Sequence, residues 1–310
     1  MKKSPFSSLH TLLSTTNAAP AISALVHQRG QTVFSAALGW LDPDTRQRPV
    51  AMDTRFDLAS VSKLFTTVTF MTLVEEGKVS LDQPVSTLLP DFSGQRLIRP
   101  YEDPLDWGGF VQPGIEGTVD AGAITFRQLL SHSSGLPAWR PLKDQPDAES
   151  ARRMALETDF FYPTGTRVVY SDIGLILTGM AIEVLTGQRL DAAVQERVTA
   201  PLGLAHTGYL PVENQPYDTS NITPTEVCVM RKYRVVGEVH DENAWRLGGI
   251  AGHAGVFSTA PDLARFGQML LEGGVPLLQP TTLAQMTTLQ AQDGNTRRGI
   301  GFTLRSSAPD

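Results

Sequence analysis

Asp57-Leu-Ala-Ser-Val-Ser-Lys-Leu-Phe-Thr-Thr67 is the stretch on which the reading of this 310-residue chain turns. Ser60 and Lys63 stand three apart, and on a helix positions three apart share a face. The lysine amine then reaches the serine hydroxyl without help from the rest of the fold. Leu64, Phe65, Val68, Phe70 and Met71 surround the pair with apolar side chains, which predicts a desolvated amine. Burial disfavours the charged form of an amine, and a neutral amine is a base. The spacing alone arises easily by chance, so its meaning depends on what else the chain carries.

Outward from this pair, residues 60–76 are apolar on most faces, more than a surface helix needs, and Gly77 supplies a stop. A central, buried helix is expected. Upstream, residues 21–41 read as two strands around the turn Gln28-Arg-Gly-Gln31, a β-hairpin. Downstream, residues 101–122 are rich in Gly and Pro and read as a long irregular excursion of the kind that borders sites. Thr125 opens a short helix to Leu130, residues 171–185 and 190–198 form two more, and Ser258 or Thr259 caps another through Leu271 that ends at Gly273-Gly274. Gly299-Ile-Gly-Phe-Thr-Leu-Arg305 begins a strand. A strand pair, a long helical middle and a final strand imply an α/β fold whose antiparallel sheet is built from both chain ends, with helices on its faces and an inserted helical region.

Composition bounds the partners. With 41% hydrophobic and 19% charged residues the chain is globular, and a net charge of −6 without a run of like charges argues against nucleic acid or an anionic membrane. A small-molecule or peptide substrate is the expected ligand. Cys228 is the single cysteine, so no intrachain disulfide can form, and a buried small side chain is its expected role. The opening Met1-Lys-Lys resembles the start of a signal peptide, but Ser4-Pro-Phe-Ser-Ser-Leu-His-Thr-Leu-Leu-Ser-Thr-Thr16 is too polar for the apolar region. A cytoplasmic protein is expected. The most apolar later stretch, 173–185, is broken by Gly174, Gly179 and Glu183, which suits a buried helix and no membrane span.

A serine activated by lysine needs a proton donor for the leaving group, and Tyr170, in Gly165-Thr-Arg-Val-Val-Tyr-Ser-Asp172, stands just before a helix where it can serve. Ser60-Val-Ser-Lys63, Leu81-Asp-Gln-Pro84, Leu130-Ser-His-Ser-Ser-Gly-Leu-Pro137, Tyr170-Ser-Asp172, Pro201-Leu-Gly-Leu204 and Phe257-Ser-Thr-Ala-Pro-Asp-Leu-Ala-Arg-Phe266 occur in order. Together they resemble the serine β-lactamase-related family of class C β-lactamases, D-alanyl-D-alanine carboxypeptidases, penicillin-binding proteins and β-lactamase-fold esterases. Pro224-Thr-Glu226, Gly237-Glu-Val-His-Asp-Glu-Asn-Ala244 and residues 249–255 resemble its penicillin-binding-protein-4-like branch. The resemblance runs from about Pro20 to the end. It implies a single β-lactamase/transpeptidase-like catalytic unit over residues 1–310, with sheet strands in 1–50 and 290–310 and a mainly helical region in 51–289. It further implies Ser60 as the acylated nucleophile, Lys63 as its base or proton relay, and Tyr170 as the group returning the proton.

Two departures from the family pattern stand out. Asp172 occupies the position of an asparagine, replacing an amide that donates with a carboxylate that only accepts when ionised. It is a candidate substrate contact and a charge beside Lys63, or a helix cap. The family's third motif, Lys-Thr-Gly or His-x-Gly on the strand edging the site, is matched in letters by His253-Ala-Gly255. That match lies in a loop before a helix, which favours coincidence over His253 as a substrate contact. The true equivalent then falls beyond Asp310, and the chain lacks the family's final strands or completes its site otherwise.

Gly-x-Ser-x-Gly is absent, as are His-Glu-x-x-His and nucleotide-binding glycine patterns. His240, Asp241 and His253 lack regular ligand spacing and read as loop residues near a cleft. No metal or cofactor is expected, and His132 reads as a capping or packing residue. The reading is a serine hydrolase acting through an acyl-enzyme on an ester, amide or β-lactam carbonyl; the alternative is a catalytically weak or inactive binding protein on the same fold.

Overall fold

The computed structural model of the chain describes residues 6–16, 18–106 and 108–305; the Met-Lys-Lys start lies outside them. Helix α1 (Ser7–Thr15) leads to β1 (Ala21–Gln28) and β2 (Gln31–Gly39), which pair antiparallel with Gln28 facing Gln31. The turn residues Arg29 and Gly30 both take left-handed backbones, φ 52° and 76°. Two such residues make the turn whose twist matches the strands it joins, so the expected hairpin forms.

Strand β3 (Phe56–Asp57) is followed by a 3-10 turn over Ala59–Val61 and then by α2 (Ser62–Glu75). Ser60 therefore sits on the tight turn feeding the helix, and Lys63 on the helix's first turn. The cause is local: Asp57 Oδ1 accepts the Ala59 N–H at 2.9 Å, and Ala59 adopts φ 45°. The chain enters the helix through a bend. Beyond it α2 is buried continuously from Phe65 to Leu73. Phe65 stacks on Phe266 with centroids 4.4 Å apart, and Phe70 meets Phe126 at 4.7 Å; each ring buried this way contributes about 1.5–3 kcal/mol. Gly77, at φ 70°, ends the helix while the Lys78 and Gly77 N–H groups bond back to Leu73 and Val74, satisfying two terminal carbonyls.

Two short antiparallel pairs, β4 (Gln95–Leu97) with β7 (Thr118–Asp120) and β5 (Tyr101–Glu102) with β6 (Phe110–Val111), lie in the glycine- and proline-rich region expected to be irregular. Helix α3 (Phe126–Leu130) opens with a capping box between Thr125 and Gln128. Asp147 caps α4 (Ala148–Leu156), and Ser171 caps the buried α5 (Asp172–Thr186), which packs on α2. Helix α6 (Leu190–Val194) runs into a π turn over Gln195–Thr199. Strands β8 (Gly208–Tyr209) and β9 (Val256–Ser258) join β3 in the order β3-β9-β8. Between them lies α7 (Glu242–Arg246), and after them come α8 (Ala260–Leu271), capped by Thr259 and packed on β1, and α9 (Pro280–Met286).

The chain end differs from expectation. Residues 299–302 are a turn between β11 (Thr296–Arg298) and β12 (Thr303–Leu304), and with β10 (Ala291–Asp293) they form a separate three-stranded sheet. Among the described residues the two chain ends therefore do not share a sheet. The turn is held instead on the helical side: the Ile300 N–H bonds Met286 of α9 and the Gly301 N–H bonds Leu130 of α3. No single helix among the described residues is long and apolar enough to cross a membrane.

Candidate active site

Lys63 is 5% exposed and directs its amine back along α2 to the exposed Ser60, with Nζ 2.8 Å from Oγ. Two further acceptors meet the same nitrogen. The main-chain carbonyl of His253 lies 3.2 Å away, and Asp172 Oδ1 lies 2.8 Å away in an ion pair whose angles fall outside hydrogen-bond geometry. Ser60 and His253 therefore accept two of the three hydrogen bonds a lysine ammonium can donate, and Asp172 meets the amine as a charge. The Tyr170 ring completes the group, its centroid 4.8 Å from Nζ and its side chain half exposed.

The start of α5 positions Tyr170 and Asp172, and the Leu130–Pro137 motif holds that start. The His132 carbonyl accepts from Val169 N–H at 3.0 Å, and Nδ1 of the same residue accepts from Ser171 N–H at 3.0 Å. Ser171 Oγ donates to the Pro137 carbonyl at 2.7 Å, and the Asp172 N–H to Ala138 at 2.9 Å. His132 achieves both contacts from a left-handed backbone, φ 58°, with its ring 4.7 Å from that of Tyr170. Burial, with added repulsion from Arg298 and Lys63, holds its pKa well below 6.5. The ring is neutral, as an accepting Nδ1 requires. The expected role as a capping or packing residue is thus extended: His132 also accepts the Ser171 N–H that opens α5.

Arg298 belongs to none of the motifs in the sequence. It is 7% exposed and lies with its guanidinium 5.3 Å from the Tyr170 centroid, on the face of the ring. Nothing in the residues around it signals this placement; it follows from the turn at 299–302 docking on α3.

The loop 248–255 brings in His253. Its imidazole is 1% exposed and turned into the protein, with Nε2 3.0 Å from Asp241 Oδ1. The residue meets the site through its carbonyl and presents no ring to a substrate. Burial raises the proton affinity of the Asp241 carboxyl, but the His253 ring, the Ala244 N–H and Lys63 together outweigh it and hold the carboxyl well below its usual range. Asp57, tied to the Ala59 and His240 N–H groups, is instead raised, chiefly by burial with Asp241 adding to it. A cleft of about 550 Å³ reaches this region, lined among others by Trp139, Asp144, Cys228, His240 and Asp241. Among the described residues no group of three or more His, Cys, Asp or Glu is arranged to hold a metal ion.

These features have a family. The Beta-lactamase family model matches residues 9–307, and the chain belongs to that family of β-lactamase-fold hydrolases. It is 28% identical over 320 residues to a candidate D-alanyl-D-alanine carboxypeptidase of Escherichia coli (strain K12), covering 93% of this chain and 69% of that protein. It is 33% identical over 283 residues to an N-acetylmuramyl-L-alanine amidase of Bacillus subtilis (strain 168), covering 82% of this chain and 60% of that one. The fold matches the octameric penicillin-binding protein homologue from Pyrococcus abyssi with a TM-score of 0.67 at 22% identity, over 92% of this chain and 60% of the other. The chain thus spans roughly two thirds of the length of these relatives, and its fold is β-lactamase/transpeptidase-like.

Proposed function

We propose that this protein is a serine hydrolase that forms an acyl-enzyme at Ser60 with an ester, amide or β-lactam carbonyl of a small molecule or peptide. The observation that carries the reading is the 2.8 Å contact between Lys63 Nζ and Ser60 Oγ. Ser60 Oγ attacks the carbonyl carbon, and its proton passes to Lys63. Lys63 accepts it only after yielding one of its own, for which the Asp172 carboxylate, at 2.8 Å, is the neighbouring acceptor. The developing oxyanion is met by N–H groups at the start of the helix, where the backbone dipole favours negative charge. Tyr170 then returns a proton to the leaving group, and water hydrolyses the ester formed on Ser60. The carboxypeptidase and amidase relatives are named for amide hydrolysis, which supports an amide among the substrates.

A second reading rests on Asp172. A carboxylate 2.8 Å from Lys63 Nζ competes with Ser60 for the amine, which supports a slow or binding-only site. Hydrolysis of p-nitrophenyl esters and of peptides ending in D-alanyl-D-alanine, measured for the wild type and for Ser60→Ala, separates the two. Turnover that disappears in the variant supports the hydrolase; background rates in both support the second reading.

A further inference from the structure

We infer that Asp241 and His253 act as a positioning pair for Lys63, an inference that rests on the acyl-transfer reading of Ser60 and Lys63. Neither side chain touches the reacting atoms. What they control is the direction of one carbonyl.

The His253 carbonyl is one of the two oxygens that accept a hydrogen bond from Lys63 Nζ, at 3.2 Å. A carbonyl in a glycine-rich loop has no direction of its own, because glycines leave the backbone free to rotate. Here the loop is fixed at several points, including the Ala251 carbonyl, which accepts from the Tyr209 hydroxyl at 3.1 Å, and two of them flank the carbonyl itself. At Gly252 the backbone is pressed onto α5, so closely that a Cβ there would stand 1.9 Å from the Leu175 oxygen. At His253 the buried ring is tied to Asp241 at 3.0 Å. The ring fixes the residue's orientation, and with it the peptide plane whose oxygen meets the amine.

Asp241 is itself held. The same Oδ1 accepts the Ala244 N–H at 2.7 Å, capping α7. The preceding residue, His240, donates its N–H to Asp57 Oδ2 at 2.7 Å, while Asp57 Oδ1 accepts from Ala59 beside the nucleophile. Residues 240 and 241 therefore join the turn that carries Ser60 to the carbonyl that meets Lys63. With the tether cut, the amine keeps its hydrogen bond to Ser60, and the ion pair with the Asp172 carboxylate is what draws it away.

The test is the rate at which a fluorophosphonate labels the full chain, resolved into kinact and KI. His253→Leu removes the tether at constant bulk, and His253→Gln restores a donor at the reach of Nε2. Asp241→Ser keeps an oxygen that caps α7 but is too short to hold the ring. Because a displacement of about 1 Å at reacting groups can cost on the order of 100-fold, His253→Leu and Asp241→Ser are expected to lower kinact about 10-fold to 100-fold. KI stays within about twofold, since inhibitor binding is untouched, and His253→Gln recovers most of the loss. Thermal melting establishes which variants fold; if His253→Leu does not, Asp241→Ser and His253→Gln decide. Wild-type kinact in folded Asp241→Ser, or a His253→Gln as slow as its leucine counterpart, overturns the inference. A wild type that takes no label at Ser60 overturns the acyl-transfer reading first, whereas a labelled wild type with unaffected variants leaves that reading standing and removes the pairing role alone.

Discussion

Lys63 meets a hydroxyl, a main-chain carbonyl and a carboxylate, each brought by a different part of the chain. The Ser60–Lys63 contact followed from helical spacing, and the burial of the amine followed from its apolar neighbours. The His253 carbonyl could not be foreseen, because a main-chain oxygen carries no side-chain signature. Asp172 was visible as a departure from the family pattern, and its ion pair with Lys63 gives that departure a consequence. Asp172→Asn removes the charge and restores a donor, so the ratio of penicillin acylation to fluorophosphonate labelling is expected to rise roughly tenfold, the worth of one good hydrogen bond. An unchanged ratio would mean that residue 172 does not face the substrate. His132 offers a test by pH. Its folded-state pKa lies below its unfolded value of 6.5, so the unfolded chain takes up the proton first on acidification. This contribution is fully present above pH 6.5 and falls below it by about 1.4 kcal/mol per unit; Asp57, raised by burial, works in the opposite sense in the range where it titrates. His132→Asn keeps an acceptor near Nδ1 and a residue tolerant of φ 58°. Urea denaturation between pH 6.5 and 5 should show a shallower loss of stability in that variant, and an equal slope would contradict the assignment.

Elements with chemical punctuation were legible. Gly77 stops α2, Thr125 and Thr259 cap their helices, and Arg29-Gly30 makes the hairpin turn, each through a local rule that needs no tertiary context. The short strands were not. β3 and β8 are two residues long, too brief for an alternating pattern, and exist because β9 supplies a partner distant in sequence. The loop 248–255 reads from its glycines as a loop, and the structure adds that its backbone is wedged against α5. Its glycines are required by contact as well as by turning. Gly252→Ala sets a methyl group against a main-chain oxygen that cannot move aside, so a destabilisation of about 3 kcal/mol is expected by chemical denaturation. A loss below about 1 kcal/mol would show that the loop and α5 separate easily.

Across the whole molecule, the order of motifs was a better guide than any one of them: the family match over residues 9–307 takes in all but the last three residues of the span, Pro20 to the end, on which the resemblance rests. The sheet arrangement was not recoverable, because the placement of residues 291–304 depends on hydrogen bonds from the turn at 300–301 to α3 and α9 and not on strand pattern. The frame around Ser60 is likewise a property of the assembled fold: α2, the start of α5, the 248–255 loop and residues 240–241 each supply one part. The most direct test is the intact mass of the chain after incubation with a fluorophosphonate and, separately, with a penicillin, beside Ser60→Ala. A single adduct in the wild type, mapping to the peptide that contains Ser60 and missing from the variant, is the predicted result. An unmodified mass from folded wild-type protein with both reagents, or an adduct that persists in Ser60→Ala, would contradict it.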